Sequence, residues 1–367
     1  LMKELTSDLS SNHDQSLIYS HLDTCLDCRS CLTACPSGVE YSSLLEMTRH
    51  VQEKKAQSIS GFKQLLLTLV TARSLLTILQ FFAWFAGKMG LVKLFKRWLP
   101  IMGGLPEFSV LPFMQTAQEI YLSIGEKKGT VAFFTGCVMD NMYAEVHKAT
   151  IRILNWNGYE VHVPKKQTCC GALHHHSGGR EFMPPLINKN IQEFSAYENI
   201  IVNSAGCGAE LKEYPDKEFA DKIRDITEFL FFIDLKTPVK SIQANQEILW
   251  DAPCHLIHGQ RISEEPREIL ERFGFKLVDF PQTNICCGAA GSYSLLEKES
   301  SENILKMKME DIQRTGCKQI ITANPGCQMQ LQKGIEFYGN EQSVQHICVL
   351  LDEVYLQDPW YINESHL

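Results

Sequence analysis

The feature that most constrains how this chain can fold is a cysteine pattern written twice. Cys137, the pair Cys169-Cys170 followed by Gly171, and Cys207 make the first copy. Cys254, the pair Cys286-Cys287 followed by Gly288, and Cys327 make the second. In both copies 32 residues separate the first cysteine from the pair, and 37 and 40 residues lead from the pair to the last cysteine. A spacing kept twice marks a duplicated structural unit. Cysteines buried as plain hydrophobes would have no reason to keep it.

Each copy also repeats one order of local patterns. An apolar run leads into the first cysteine (VAFFTGC, EILWDAPC), a helical stretch leads to the CCG turn, and a second helix is followed by a run ending in Gly-Cys (NIIVNSAGC, QIITANPGC). That alternation predicts two tandem βαβ-type units, an α/β fold with parallel strands. Parallel sheets place ligand sites at the carboxyl ends of strands, which is where each copy puts its first and last cysteine. The glycines beside the cysteines permit close backbone approach. Four thiolates suit an iron-sulfur centre or a zinc ion, and spacing alone leaves that choice open.

A second motif lies near the start. Residues 25–36 read CLDCRSCLTACP, so Cys25, Cys28, Cys31 and Cys35 form the C-x2-C-x2-C-x3-C-P run that ferredoxins use for a 4Fe-4S cluster. A structural zinc site favours two well-separated CxxC pairs instead. The fourth cysteine is expected to begin a helix, with Pro36 in its first turn. Cys35 either closes its own cluster or serves a second one whose other ligands precede Leu1, since LMKEL reads as the end of an interrupted helix. Cys317 and Cys348 lie outside all three patterns in apolar surroundings and are assigned to the core. His174, His175 and His176 follow the first CCG, and His255 and His258 follow Cys254. They are placed either to serve cluster sulfurs and protons or to cap and pack.

The 367 residues divide on this basis into a ferredoxin-type 4Fe-4S domain over 1–53, a basic amphipathic helical linker over 54–127, and CCG units over 128–240 and 241–367. Fourteen cysteines clustered in metal motifs, without a signal peptide, fit a reducing compartment. Lys54, Lys55, Lys63, Arg73, Lys88, Lys93, Lys96 and Arg97 fall in residues 54–106, which hold no acidic residue. The whole chain carries −8, so the remainder is strongly acidic, and nucleic acid is not an expected partner. The longest uncharged run, Ser74 to Gly87, is too short to span a bilayer, which takes about twenty residues. One or two amphipathic helices are expected there: lying in the headgroup layer with Trp84 and Trp98 as anchors, buried between domains, or docked on a partner.

Taken together, CLDCRSCLTACPSGVEY followed by two CCG units, the first reading TCCGALHHHSG, resembles the iron-sulfur subunit of bacterial glycolate oxidase along essentially the whole chain. The resemblance implies an electron-transfer subunit without a substrate-oxidising site of its own. It would relay electrons from FAD-containing dehydrogenase subunits, which oxidise glycolate to glyoxylate, toward quinone. A cytoplasmic location is implied, peripheral on the inner face of the membrane. That family carries two ferredoxin-type runs and this sequence shows one, so a truncated member is expected. Related CCG domains of heterodisulfide reductase end each motif in CxxC, whereas Glu210 and Gln330 stand at those last positions here. Alternatives kept open are a lactate or glycerol-3-phosphate dehydrogenase subunit, a heterodisulfide-reductase-like enzyme, and a zinc-holding scaffold. The chain has no GxGxxG after a strand, no Walker loop and no nucleophile elbow, which places flavin on a partner.

Overall fold

Short runs of β-branched and aromatic residues become the strands of two sheets in the computed structural model, which describes residues 15–55, 73–89, 104, 106, 110–237, 246–339 and 341–357. The first sheet contains β1 (Ile120–Tyr121), β2 (Gly129–Phe134), β3 (Tyr159–His162), β4 (Ile200–Val202) and β5 (Ile223–Asp225), in the order β1-β3-β2-β4-β5. The second contains β6 (Glu247–Trp250), β7 (Lys276–Leu277), β8 (Gln319–Thr322) and β9 (Ser343–His346), in the order β7-β6-β8-β9. All pairings are parallel except that of β1 with β3. β1 precedes the first parallel strand and adds an antiparallel edge to the sheet.

The central strands β2, β4, β6 and β8 read as almost unbroken apolar runs because both faces are covered. In each unit the chain leaves the first strand toward one edge, then crosses back to lay the third strand on the other side. This reversal opens a crevice at the carboxyl ends of β2 and β4, and again at those of β6 and β8.

The units pack crosswise. The helix Ala144–Trp156, after the first strand of one unit, lies on Ile347–Leu356, after the last strand of the other; Ile226–Phe232 and Glu265–Arg272 repeat the arrangement with roles exchanged. One core joins Phe133, Leu154 and Ile226 to Trp250, Ile269 and Leu351. At its edge Arg152 Nε meets Asp352 at 2.9 Å.

The cysteine run lies between the helices Gln15–Asp23 and Tyr41–Lys55, with only Cys31 on a helix, Ser30–Ala34, and with Leu22 and Leu45 buried together. Cys35 ends the helix Ser30–Ala34 instead of starting one, and the next helix begins only at Tyr41. Pro36 explains the difference: its ring disfavours the helical region for the residue before it, and Cys35 is extended at φ −82°, ψ 113°.

Most of the basic stretch, including Lys63, Lys93, Lys96, Arg97 and Trp98, lies outside the described residues. Within it the helix Arg73–Lys88 turns Gln80 inward and leaves Ile78, Leu79, Phe81, Phe82 and Phe85 exposed, while Trp84 is half-buried. No helix among the described residues is long and apolar enough to cross a membrane. Cys317 and Cys348 are both buried in apolar clusters, as expected.

The helix Ala205–Lys212 meets the π-helical turn His255–Gly259 so closely that a Cβ on Gly259 would sit 2.9 Å from that of Ala209. Gly259→Ala is therefore expected to destabilise the protein by about 1–3 kcal/mol, measured as a lowered Tm in thermal denaturation.

Candidate functional site

The crevice after β2 and β4 gathers the first cysteine set. Cys137 follows β2, Cys207 sits in the first turn of the helix after β4, and the pair Cys169-Cys170 arrives on the loop after β3. Cys137 Sγ lies 3.2 Å from Cys169 Sγ, and Cys170 Sγ lies 3.2 Å from Cys207 Sγ. Gly171, at φ +90°, turns its N–H back onto Cys169 Sγ at 3.4 Å, a turn that a side chain would strain. The second copy repeats this. Cys254 hydrogen-bonds Cys286, Cys286 contacts Cys287, and Cys287 contacts Cys327. The Gly288 N–H reaches Cys286 Sγ at 3.4 Å.

Electrostatics make each set ready for a metal. The thiol of Cys169 is held well below its ordinary range by the hydrogen bond from Cys137, helped by Cys170 and the Gly171 N–H. The hydrogen bond from Cys254, then Cys287 and the Gly288 N–H, lower Cys286 likewise. The donor atoms Cys137, Cys170, Cys254 and Cys287 are pushed up in return. Four converging soft donors, all buried except the half-buried Cys207, fit an iron-sulfur centre or another thiophilic metal. By contrast, burial, helped by the charges of Asp225 and Asp352, pushes Cys348 to about 12, so it stays an inert thiol.

The N-terminal cysteine run sits against both crevices. Cys25, Cys28 and Cys31 lie close enough to act on one another's charge, and Cys28 also acts on Cys254. Cys35 is lowered by the backbone N–H groups of Val39, Ser37 and Gly38. The sixth residue after each cysteine pair clasps this run. In the first copy it is His176, whose Nδ1 lies 3.0 Å from Asp27 and 3.1 Å from Glu46. In the second it is Tyr293, whose hydroxyl donates to the Thr24 carbonyl at 3.0 Å. Between the two, Ser177 Oγ and Ser292 Oγ are 3.3 Å apart.

Beneath the run lies an ion-pair network that the sequence did not announce. Arg29, only 2% exposed and held at φ +64°, pairs with Glu213 through both guanidinium nitrogens and lies 3.9 Å from Glu46. His175 bridges Glu210 and Glu46 at 3.0 and 3.2 Å. Burial would lower His176, but its hydrogen bonds to Asp27 and Glu46 win and raise it to about 10. Burial would likewise raise Asp27, yet His176 and Arg29 bring it down to about 2. Arg49 donates to the carbonyls of Cys25 and His176, and Thr33 meets His258 at 2.8 Å. Of the five singled-out histidines, only His255 contacts a patterned sulfur, Cys254 Sγ at 3.6 Å; His174 packs on Phe182. Glu210, standing where related motifs carry a further cysteine, thus belongs to the ion-pair network.

Comparisons with known proteins agree with this arrangement. A family model described as a cysteine-rich domain, CCG, matches residues 131–212 and 248–332. The chain is 33% identical over 363 residues to a Bacillus subtilis protein named "Probable glycolate oxidase iron-sulfur subunit", covering 90% of this chain and 82% of that one. It is 29% identical over 359 residues to the glycolate oxidase iron-sulfur subunit of Escherichia coli, covering 91% and 82%. A fumarate reductase (CoM/CoB) component of Methanothermobacter marburgensis is 34% identical over 240 residues, 64% of this chain and 49% of that protein.

Because His176 binds its proton more tightly folded than unfolded, its contribution is fully present below about pH 6.5 and is lost as pH rises through about 10. Thermal stability of the metal-loaded protein is expected to fall across that window, and His176→Asn to flatten the fall. Glu46→Gln, which takes a buried carboxylate away from His175 and His176, is expected to cost about 3–5 kcal/mol in denaturant unfolding.

Proposed function

Since the chain belongs to the family of glycolate oxidase iron-sulfur subunits, with two CCG cysteine-rich domains, we propose that its patterned cysteines carry electrons from glycolate toward quinone. It is an iron-sulfur, electron-transfer subunit of an oxidoreductase complex whose flavin sits on a partner subunit. Cys25, Cys28, Cys31 and Cys35 are the proposed thiolates of a ferredoxin-type centre. Cys137, Cys169, Cys170 and Cys207 are those of the first CCG centre, and Cys254, Cys286, Cys287 and Cys327 those of the second. When bound, the clusters supply one-electron chemistry at potentials set by charge, hydrogen bonding and solvent exposure. The protein's own part is to hold the three sites together and to keep water from the two CCG sites, whose cysteines are buried except for the half-buried Cys207.

The observation that carries this reading is the clasp: His176 and Tyr293, equivalent residues of the two CCG copies, both grip the loop that bears Cys25. Such a grip holds the loop of the first cysteine set against both CCG units. We take the repeat as an internal duplication, with units at 128–240 and 241–367 following a ferredoxin-type domain at 1–53 and a basic linker at 54–127. β1 then joins the first sheet from that linker.

The helix Arg73–Lys88 supports a peripheral position on the cytoplasmic face of the membrane. Its exposed Phe81, Phe82 and Phe85 form an apolar stripe that a water-soluble surface would ordinarily cover, and a basic stretch surrounds it in sequence.

Added to the flavoprotein subunits, the anaerobically purified chain is expected to restore glycolate-dependent dye or quinone reduction and to have no activity alone. Activity alone, or zinc bound without acid-labile sulfide, would overturn the relay. Cys170→Ser and Cys287→Ser should each lower iron and sulfide per chain and cut electron flux about tenfold or more, whereas Cys317→Ser should not. Liposomes containing anionic lipid should retain the protein at low salt and release much of it at high salt.

A further inference from the structure

The two CCG centres are alike in sulfur geometry and unlike in charge. Lys308, on the helix Lys298–Thr315, is buried with its ammonium paired to Asp251, and the side chains of both are 1% exposed. Its Nζ also donates to the Ile285 carbonyl, one residue before the cysteine pair, and lies 5.8 Å from the centroid of the Phe280 ring. Thus fixed, it cannot swing to solvent. Its charge acts on Cys286, Cys287 and Cys327 of the second set, whereas that of Asp251 acts on Cys286.

Among the described residues, the first copy has no such pair at the equivalent positions. Asp251 stands three residues before Cys254, and the residue three before Cys137 is Phe134, buried in an apolar cluster. Where Lys308 reaches the residue before its cysteine pair, the first copy uses Asn190. Its amide oxygen accepts from the Thr168 N–H at 2.8 Å, and its amide nitrogen donates to the Cys169 carbonyl at 3.1 Å. A neutral amide thus does the bracing that a cation does in the second copy. His174, the titratable neighbour of Cys169, is itself held toward its neutral form by burial.

We propose that Lys308 is a potential-setting residue: its buried positive charge stabilises the reduced form of the second CCG centre and makes it the electron sink of the two. The proposal rests on the reading that both CCG sites hold redox-active clusters. One electron leaves the first centre and enters the second; no bond forms or breaks, and no proton is required. Adding an electron to a buried centre adds a negative charge, and a fixed cation nearby offsets it far more strongly than water-screened surface charge would. The asymmetry gives the relay a direction that two identical copies would lack.

The test is a redox titration of the full-length loaded protein followed by EPR, with the second-site signal assigned as the one lost in Cys287→Ser. Lys308→Met is expected to lower the reduced-to-oxidised ratio of that signal about tenfold at a fixed poise, a downward shift of about 59 mV for one electron, and to leave the first-site signal in place. Lys308→Arg should keep the wild-type potential. Asp251→Asn, which retains the cation and removes its counter-charge, should shift the potential upward, so the sign is readable even if Lys308→Met does not fold. A second-site signal whose potential is the same in wild type, Lys308→Met and Asp251→Asn overturns the assignment of Lys308. A wild-type protein in which Cys287→Ser removes no signal overturns the cluster reading beneath it, and the proposal with it.

Discussion

The contact on which the arrangement depends is the buried guanidinium of Arg29. It belongs to the cysteine run, yet its partners Glu213 and Glu46 come from the first CCG unit and from the helix after the run. A charge so deeply buried is tolerable only when paired, so burial and docking cannot be separated. The left-handed backbone of Arg29, unusual for a residue with a side chain, holds only while that pairing over-determines it. Around it, His175 and His176 supply further positive charge and Glu210 further negative charge, joining the N-terminal segment to the first crevice.

Much of this was legible in the sequence because cysteines that must converge leave a regular spacing behind. Repeated spacing located both four-sulfur sets, and apolar runs ending in cysteine located β2, β4, β6 and β8 with the crevices at their carboxyl ends. Local rules also caught Cys317 and Cys348 as core residues. The helix expected to begin at Cys35 failed through a rule equally local: proline tolerance at a first helical turn was applied to Pro36, but its restriction on the preceding residue prevailed. What the sequence could not yield were partnerships formed only by folding. Glu213 is far from Arg29 in the chain, and Asp251 is far from Lys308. The aspartate and arginine inside CLDCRSC were the one available hint, since charges within a cluster loop need partners from somewhere.

The helix Arg73–Lys88 shows the same limit from another side. Composition announced it as amphipathic, and its longest uncharged stretch excluded a span, but only the fold reveals which side faces out. The side facing the body of the protein carries Gln80, and the phenyl rings point away. An ordinary surface helix would place them the other way round.

The crosswise exchange of helices between the two units has a consequence for how the molecule ages. Because Ala144–Trp156 is covered by Ile347–Leu356, and Glu265–Arg272 by Ile226–Phe232, neither half retains a sealed interior once the other has come apart. Oxidative damage that loosens one metal centre would therefore not leave half a working relay behind. It would tip the whole body toward unfolding, so that a damaged carrier becomes a substrate for proteolysis instead of a leaky conductor that sheds electrons to oxygen.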